Sequence, residues 1–385
     1  MTTAGAVRAL DRIATEADRA KVCLPGTNRA APPGHTMAMA RRAAARVGVT
    51  RVADITRLDS IGIPTYQAIR PLSRTLAVSQ GKGVTPDLAK LSAMMESIEI
   101  WHVEQPMTPA VVAPARDVVL GYDVAELPRC TPSLFHDGLP LDWVPAVALA
   151  DGTPTLVPTA TVRLSLEQPD GWRPPAFLSS TNGLASGNTM VEAALHALYE
   201  IIERDAVTAV VAGAPGDRVD PHTLADPVVD GLCERIDRAG VAFEVRHVPS
   251  RTGLPCFLAW VSCHDYPAAM YGFGCHLSPA VAVSRAITEA VQTRLGYIAG
   301  ARDDLHADID DGGTRRRREP SGACAPIEVL LAEQDTLIDE LGLVVDLATA
   351  AFGATPLMAD LTRDDVGVPV VKVVAPGSRV STEVL

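Results

Sequence analysis

The chain has 385 residues, a formal net charge of −12, and 47% hydrophobic against 21% charged residues. These values exclude wholesale disorder, and the acidic balance excludes a sequence-general nucleic-acid binder, which needs a basic footprint. No run approaches the ~18 consecutive apolar residues of a membrane span. The N-terminus carries Arg8, Asp11, Arg12, Glu16, Asp18 and Arg19 with no apolar stretch between them, so no secretory signal is read and a cytoplasmic location is expected.

In chain order, the pattern predicts an amphipathic helix over 1–20, with Val7, Leu10, Ile13, Ala14 and Ala17 on one face. A loop rich in Gly, Pro and Asn covers 21–35, and a second helix 37–47. Short strands follow at 52–55 and 75–78. A helix over 86–102 takes Thr85 as N-cap and Pro86 at its first position. Between Pro109 and Leu178, short apolar runs at 118–120, 144–149 and 162–164 read as β-rich. A strong helix spans 189–211, then strands 243–247 and 257–263, a Gly-rich turn at 272–274, and a helix over 280–302. The segment 303–326, with Gly312-Gly313 and Arg315 to Arg318, reads as a mobile, solvated loop. A helix over 327–341 and strands at 343–347 and 368–374 close the chain. The class is α+β, with an N-terminal helical segment over 1–50 and the main domain over 51–385.

The seven cysteines are scattered, with no Cys-x-x-Cys pair, and read as reduced, mostly buried thiols. Cys263-His264 and Cys275-His276 do not have the spacing of a zinc site. There is no Gly-x-Ser-x-Gly elbow.

The informative feature is an internal repeat. Three predicted helices share the spacing Ala-x3-Ala-x2-Glu-x2-acid or amide: Ala89, Ala93, Glu96, Glu99; Ala193, Ala197, Glu200, Glu203; and Ala282, Ala286, Glu289, Gln292. The first two also share Gly83 and Gly187 six positions before the first alanine, and the threonines Thr85 and Thr189. On an α-helix these four positions fall within roughly 120°. Each helix thus shows two small and two polar residues on one face, and the alanines suggest close helix–helix approach. Carboxylates on a packed face must be paired or hold a metal. Glu96, Glu99, Glu192, Glu200, Glu203 and Glu289 outnumber the bases that can reach them. Hard oxygen clusters suit Mg²⁺ bridging to phosphate, so a nucleotide triphosphate held through Mg²⁺ is expected. Gly81-Lys82-Gly83 is not a Walker A sequence, but the helix start beyond it suits an anion, with Lys82 as a candidate phosphate contact. Asn188 and Glu192 lie one turn apart and face one ligand.

The run Ser179-Ser180-Thr181-Asn182-Gly183-Leu184-Ala185-Ser186-Gly187-Asn188-Thr189, followed by Glu192, Glu200, Glu203 and Arg204, resembles the central motif of the YcaO family. Ser92, Glu96 and Glu99 are similar to its first ATP-site motif, and Glu289 and Gln292 to its third. The resemblance runs from about Arg51 to Val374, which makes 51–385 the YcaO domain. It implies the YcaO fold, with repeated helix motifs packed on mixed or antiparallel sheets around a nucleotide site. The implied activity is ATP- and Mg²⁺-dependent activation of a peptide backbone amide, whose oxygen leaves as phosphate to give an azoline, a thioamide or an amidine. By that resemblance Ser92, Glu96, Glu99, Asn188, Glu192, Glu200, Glu203, Glu289 and Gln292 bind ATP and Mg²⁺, with Arg204 and Arg285 as phosphate partners and Arg29 as an N-terminal basic contact.

Azoline-forming members often end in Pro-x-Pro-x-Pro, whereas this sequence reads Val373-Val374-Ala375-Pro376-Gly377-Ser378. Asp54-Ile55-Thr56, Ile61-Gly62-Ile63-Pro64 and Ser79-Gln80-Gly81-Lys82-Gly83 resemble the branch associated with TfuA partners. That branch implies thioamide formation in ribosomal-peptide or protein modification, with an external sulfur donor. The alternatives are an azoline- or amidine-forming cyclodehydratase with a leader-binding partner, and a non-catalytic ATP-binding scaffold. YcaO relatives are often dimers, so a homodimer is compatible.

Overall fold

The computed structural model describes residues 13–164, 174–213, 216–264, 268–302, 320, 322–328 and 331–381. The chain begins with a hairpin, β1 (Val22–Leu24) and β2 (Thr27–Arg29), and a helix, α1 (Pro33–Arg46). Strands β3 (Arg51–Asp54), β4 (Thr65–Ile69) and β5 (Val78–Lys82) lead into α2 (Pro86–Val103). Next come β6 (Val111–Pro114), β7 (Pro140–Ala148), β8 (Pro154–Pro158) and the short α3 (Thr159–Val162). Then β9 (Leu184–Ser186) leads into α4 (Met190–Val211), followed by β10 (Asp217–Asp220) and α5 (Pro227–Arg238). Strands β11 (Ala242–His247), β12 (Cys256–Ser262) and β13 (Met270–Cys275) lead into α6 (Pro279–Ala299). The end holds β14 (Ala325–Pro326), α7 (Leu337–Phe352), β15 (Leu357–Asp360) and β16 (Val370–Val374).

The strands form three sheets besides the hairpin. Their orders are β3-β4-β5, β6-β7-β15-β16-β9 with β8 on β7, and β13-β12-β11-β10-β14. All neighbours are antiparallel except β10 and β14. Each sheet ends on a strand that passes into one acid-bearing helix: β5 into α2, β9 into α4, β13 into α6. The contacts between these units run in a ring. Helix α2 lies against β9, α4 against β13, and α6 against β5.

The shared alanines explain why each helix can lie flat on its own strand. A Cβ on Gly81 would stand 2.0 Å from the Ala93 amide nitrogen, and one on Gly272 2.1 Å from that of Ala290. The small residues therefore let a helix approach the strand before it, rather than another helix as the spacing suggested. The same approach corrects the turn expected at 272–274, which is β13. Glycine in a strand marks a close backbone neighbour as readily as a turn.

The ends of the units also follow from sequence. Thr85 accepts from the Leu88 amide at 3.3 Å, capping its helix as expected, and Thr189 accepts from that of Glu192 at 3.1 Å and caps α4 in the same way. Ser278, at the start of α6, makes no side-chain cap. Helix α4 buries Leu195, Leu198, Ile201 and Ile202 in the largest core, against Leu341, Val344 and Val345 of α7 and Val371 and Val373 of β16.

Other expectations shift. The strand placed at 75–78 begins at Val78, because Arg70 to Thr75 is a turn organised by Glu104. The run 118–120 is a loop, and Val162 ends α3 rather than starting a strand. The helix placed at 327–341 begins only at Leu337, and with the strand placed at 343–347 it forms one helix, α7, capped by Thr336. Gly342 broke the reading, yet Leu337, Leu341, Val344, Val345 and Ala348 are buried at helical spacing. Helix α5 and strands β4, β9, β10, β14 and β15 were not anticipated, and the hairpin β1–β2 stands within the loop expected at 21–35. Of the 1–20 helix, residues 1–12 lie outside the described residues, and Glu16–Arg19 is one 3-10 turn. Most of the 303–326 loop also lies outside them. Four cysteines are buried, and Cys23 and Cys324 are exposed. No helix among the described residues is long and apolar enough to cross a membrane.

Candidate active site

The ring of units brings the acids of α2, α4 and α6 together with a set of basic side chains. On α2, Glu96 accepts from the Gln80 amide at 3.2 Å. Glu99 accepts from the Ser186 amide at 2.8 Å and from its hydroxyl at 2.5 Å, so the α2 acid is fixed to strand β9 of the next unit. Burial pushes the Glu99 carboxyl up to about 8 despite these bonds, and Glu96 and Glu200 add to the rise.

On α4, Glu192 is buried in the first turn. It accepts from the Ala30 amide at 2.9 Å and the Asn188 side-chain amide at 2.9 Å, with Arg29 Nε 3.7 Å away. Asn188 also accepts from the Thr36 hydroxyl at 2.8 Å. The N-terminal hairpin thus delivers Arg29 to the start of α4, where its guanidinium also meets His196. Burial lowers Arg29 to about 10, with Glu192 opposing and Arg285 reinforcing the drop. Burial likewise holds the His196 imidazole neutral, well below its ordinary value, and Arg29 and Arg285 act in the same direction.

Further along α4, burial raises Glu200, against the pull of Arg204, Lys372 and Arg285. Burial and the neighbouring Glu289 push Glu203 up to about 7. On α6, Glu289 pairs with Lys82 of β5, closing the ring. Burial alone would raise it, but Lys82, Arg204 and Arg285 hold it below the ordinary carboxylate value. Arg204 stays protonated through Glu203, Glu289 and Glu200, which outweigh its burial. Ser92 and Gln292 are half-buried on the same helices but have no hydrogen-bonded partner among the described residues.

The predicted acids and Arg29, Lys82, Arg204 and Arg285 thus act on one another, as their mutual charge effects record. Sequence reasoning missed Lys372 and the role of His196. Lys372 is 2% exposed and donates to the carbonyls of Ser180 at 2.5 Å and Asn182 at 2.6 Å, bracing the turn before β9. Burial lowers it to about 8, opposed by Glu200. A charge inside the apolar run Val370-Val371-Lys372-Val373-Val374 was the available signal.

The donor set fits Mg²⁺ with phosphate. It offers hard carboxylate oxygens beside cations, and the buried Arg285 Nε has no hydrogen-bond partner among the described residues. Among those residues no three His, Cys, Asp or Glu side chains converge into a ready-made cation cage.

The family described as YcaO cyclodehydratase, ATP- and Mg²⁺-binding, matches residues 80–379. An uncharacterized protein of Mycobacterium tuberculosis (strain H37Rv) is 40% identical over 370 residues, 93% of this chain and 84% of that protein. An uncharacterized protein in the tfuA 3′ region of Rhizobium leguminosarum bv. trifolii is 33% identical, over 92% of this chain and 89% of its own. Among solved structures, a heterocyclase in complex with substrate and cofactor aligns with a TM-score of 0.76 at 22% identity. That alignment covers 93% of this chain but only 54% of the heterocyclase. YcaO from Methanopyrus kandleri, bound with AMPPCP and Mg²⁺, aligns with a TM-score of 0.70 at 23% identity, covering 93% of this chain and 94% of that one.

Proposed function

The chain belongs to the YcaO family, whose cofactors are ATP and Mg²⁺, and from that premise we propose that it forms thioamides in a peptide or protein backbone with a TfuA-type partner. The observation that carries the reading is the ring of carboxylates, Glu192 and Glu203 buried and the other four half-buried, facing Arg29, Lys82, Arg204 and Arg285. The choice of product is supported by the relative in the tfuA 3′ region.

In this reading Glu96, Glu99, Glu192, Glu200, Glu203 and Glu289 hold Mg²⁺, which neutralises phosphate charge. Arg29, Lys82, Arg204 and Arg285 hold the phosphates, and Ser92, Asn188 and Gln292 supply polar contacts to the nucleotide. The segment 1–50 serves the domain of 51–385 by delivering Arg29. An amide oxygen is a poor leaving group. When hydrosulfide adds to the amide carbon and the oxygen is phosphorylated, the C–O bond breaks, phosphate departs and C=S forms. Amide, hydrogen sulfide and ATP balance thioamide, ADP and phosphate. The chain's own contribution is to fix the γ-phosphate and offset the charge that develops on it.

The second reading is an azoline- or amidine-forming cyclodehydratase with a leader-binding partner, favoured by the family's description. One reconstitution separates the two. The chain is combined with ATP, Mg²⁺, sulfide, a TfuA-type protein and candidate peptides, and products are weighed. Exchange of oxygen for sulfur supports the first reading. Loss of one water without sulfide supports the second. Binding of ATP with no turnover under any partner leaves only a scaffold.

A further inference from the structure

Outside the three units, Glu340 on α7 is fully buried, and it pairs with Lys21, whose side chain keeps 5% of its surface. The same carboxylate accepts from the Tyr199 hydroxyl of α4 at 2.5 Å, and the Tyr199 oxygen accepts from the Leu277 amide at 3.1 Å. Tyr199 stacks on His276, with ring centroids 4.7 Å apart. His276 Nδ1 accepts from the Ser278 amide at 2.9 Å, leaving Nε2 3.5 Å from Glu340. One carboxylate thus ties together the N-terminal segment, α4 and the turn that opens α6.

The N-terminal segment depends on such ties. Strands β1 and β2 bury little: only Asn28 of their six residues is buried, and Cys23 is exposed. The strands themselves bury no apolar side chain among the described residues; the apolar hold next to Arg29 is the single methyl of Ala30. After β2 the Ala30 amide is tied to Glu192; before β1 the polar anchors are Lys21 on Glu340 and Asp18, which is fully buried and accepts from the Thr189 hydroxyl at 2.5 Å. A buried ion pair adds little net stability over an apolar pair, so its use here fits the setting of geometry.

We propose that the Lys21–Glu340 pair is a clamp that positions Arg29 for the nucleotide phosphates, which makes Lys21 and Glu340 positioning residues of the site. The inference rests on the assignment of Arg29 to the nucleotide in the reading above. It is tested with Lys21→Met/Glu340→Gln, which removes both charges and keeps an acceptor for Tyr199. Binding of ATP with Mg²⁺ is titrated in the Arg29 and Arg29→Met backgrounds, with Glu200→Gln in parallel. The clamp predicts affinity weaker by about tenfold in the first background, no further loss in the second, and retained affinity in Lys21→Arg. Equal weakening in both backgrounds, or unchanged affinity, overturns it. If the pair variant does not fold, Asp18→Asn enters the same cycle with the same expectation. If Arg29→Met is silent while Glu200→Gln abolishes binding, the clamp fails and the site stands. If both are silent, the site reading fails and the clamp with it.

Discussion

The three strand-to-helix units share a scaffold but hold their acids differently. On α2, Glu96 and Glu99 are fastened to strand amides, Gln80 in their own unit and Ser186 in the next. On α4 and α6, Glu200, Glu203 and Glu289 accept no backbone hydrogen bond among the described residues and meet only other charges. Fixed acids define a position. Acids held only by other charges can exchange those partners for a cation and its phosphates. The repeat therefore builds one half of the site as a template and the other as a receptor for charge.

The largest expected effect strikes what the units have in common. Gly81→Ala and Gly272→Ala each force a Cβ into a helix backbone with no flexible side chain to yield. Both lose about 3 kcal/mol or more in denaturant unfolding. A loss below about 1 kcal/mol in either would mean that the strand–helix contact is not shared.

The next prediction separates the halves. Glu203, 4% exposed, carries a carboxyl held near 7, so its ionised form costs stability at pH 8. Glu203→Gln raises the stability of the nucleotide-free chain by roughly 1–3 kcal/mol at that pH and weakens Mg²⁺-dependent nucleotide binding. Glu99 is held higher, at about 8 even with the Ser186 bonds, so Glu99→Gln gains at least as much. A smaller gain at Glu99 than at Glu203 would contradict that ordering.

The pH dependence sharpens it further. Glu99 and Glu203 bind protons in the folded chain up to about 8 and 7, but only up to 4.5 when unfolded. The native state holds more protons in that window, so stability without ligand falls as pH rises from about 4.5 to 8. His196 and His276 are held below their ordinary 6.5. They act with opposite sign, and their contribution is lost as pH falls below 6.5. Between 6.5 and 8 the carboxylates decide the slope. Mg²⁺ requires them ionised, so its binding releases protons and tightens with pH across the same range. Calorimetry in buffers of different ionisation enthalpy reads the proton count, and a count of zero contradicts the assignment.

The smallest effect is local. Ser186→Ala removes the hydroxyl bond to Glu99 but leaves the amide bond, and costs about 1 kcal/mol in stability.

The helix stripes of the site were legible because their chemistry repeats on a single period: alanines and acids at fixed spacing, with threonine caps. What lay across the stripes was not. The glycines of β13 looked like a turn because a Gly-rich run does not itself reveal that a helix backbone packs on it. Gly342 hid the continuity of α7 beyond Leu341. Lys372 and His196 belong to no repeat, and their roles come only from the sheet register and from the hairpin that carries Arg29. Periodicity shows which face a helix buries, not what is brought against it.

The central claim is that the carboxylate ring is a Mg²⁺-nucleotide site. Isothermal titration of ATP, with and without Mg²⁺, into the wild-type chain and Glu200→Gln tests it most directly. The account predicts Mg²⁺-dependent binding to the wild type and none to a folded Glu200→Gln; equal binding to both would contradict it.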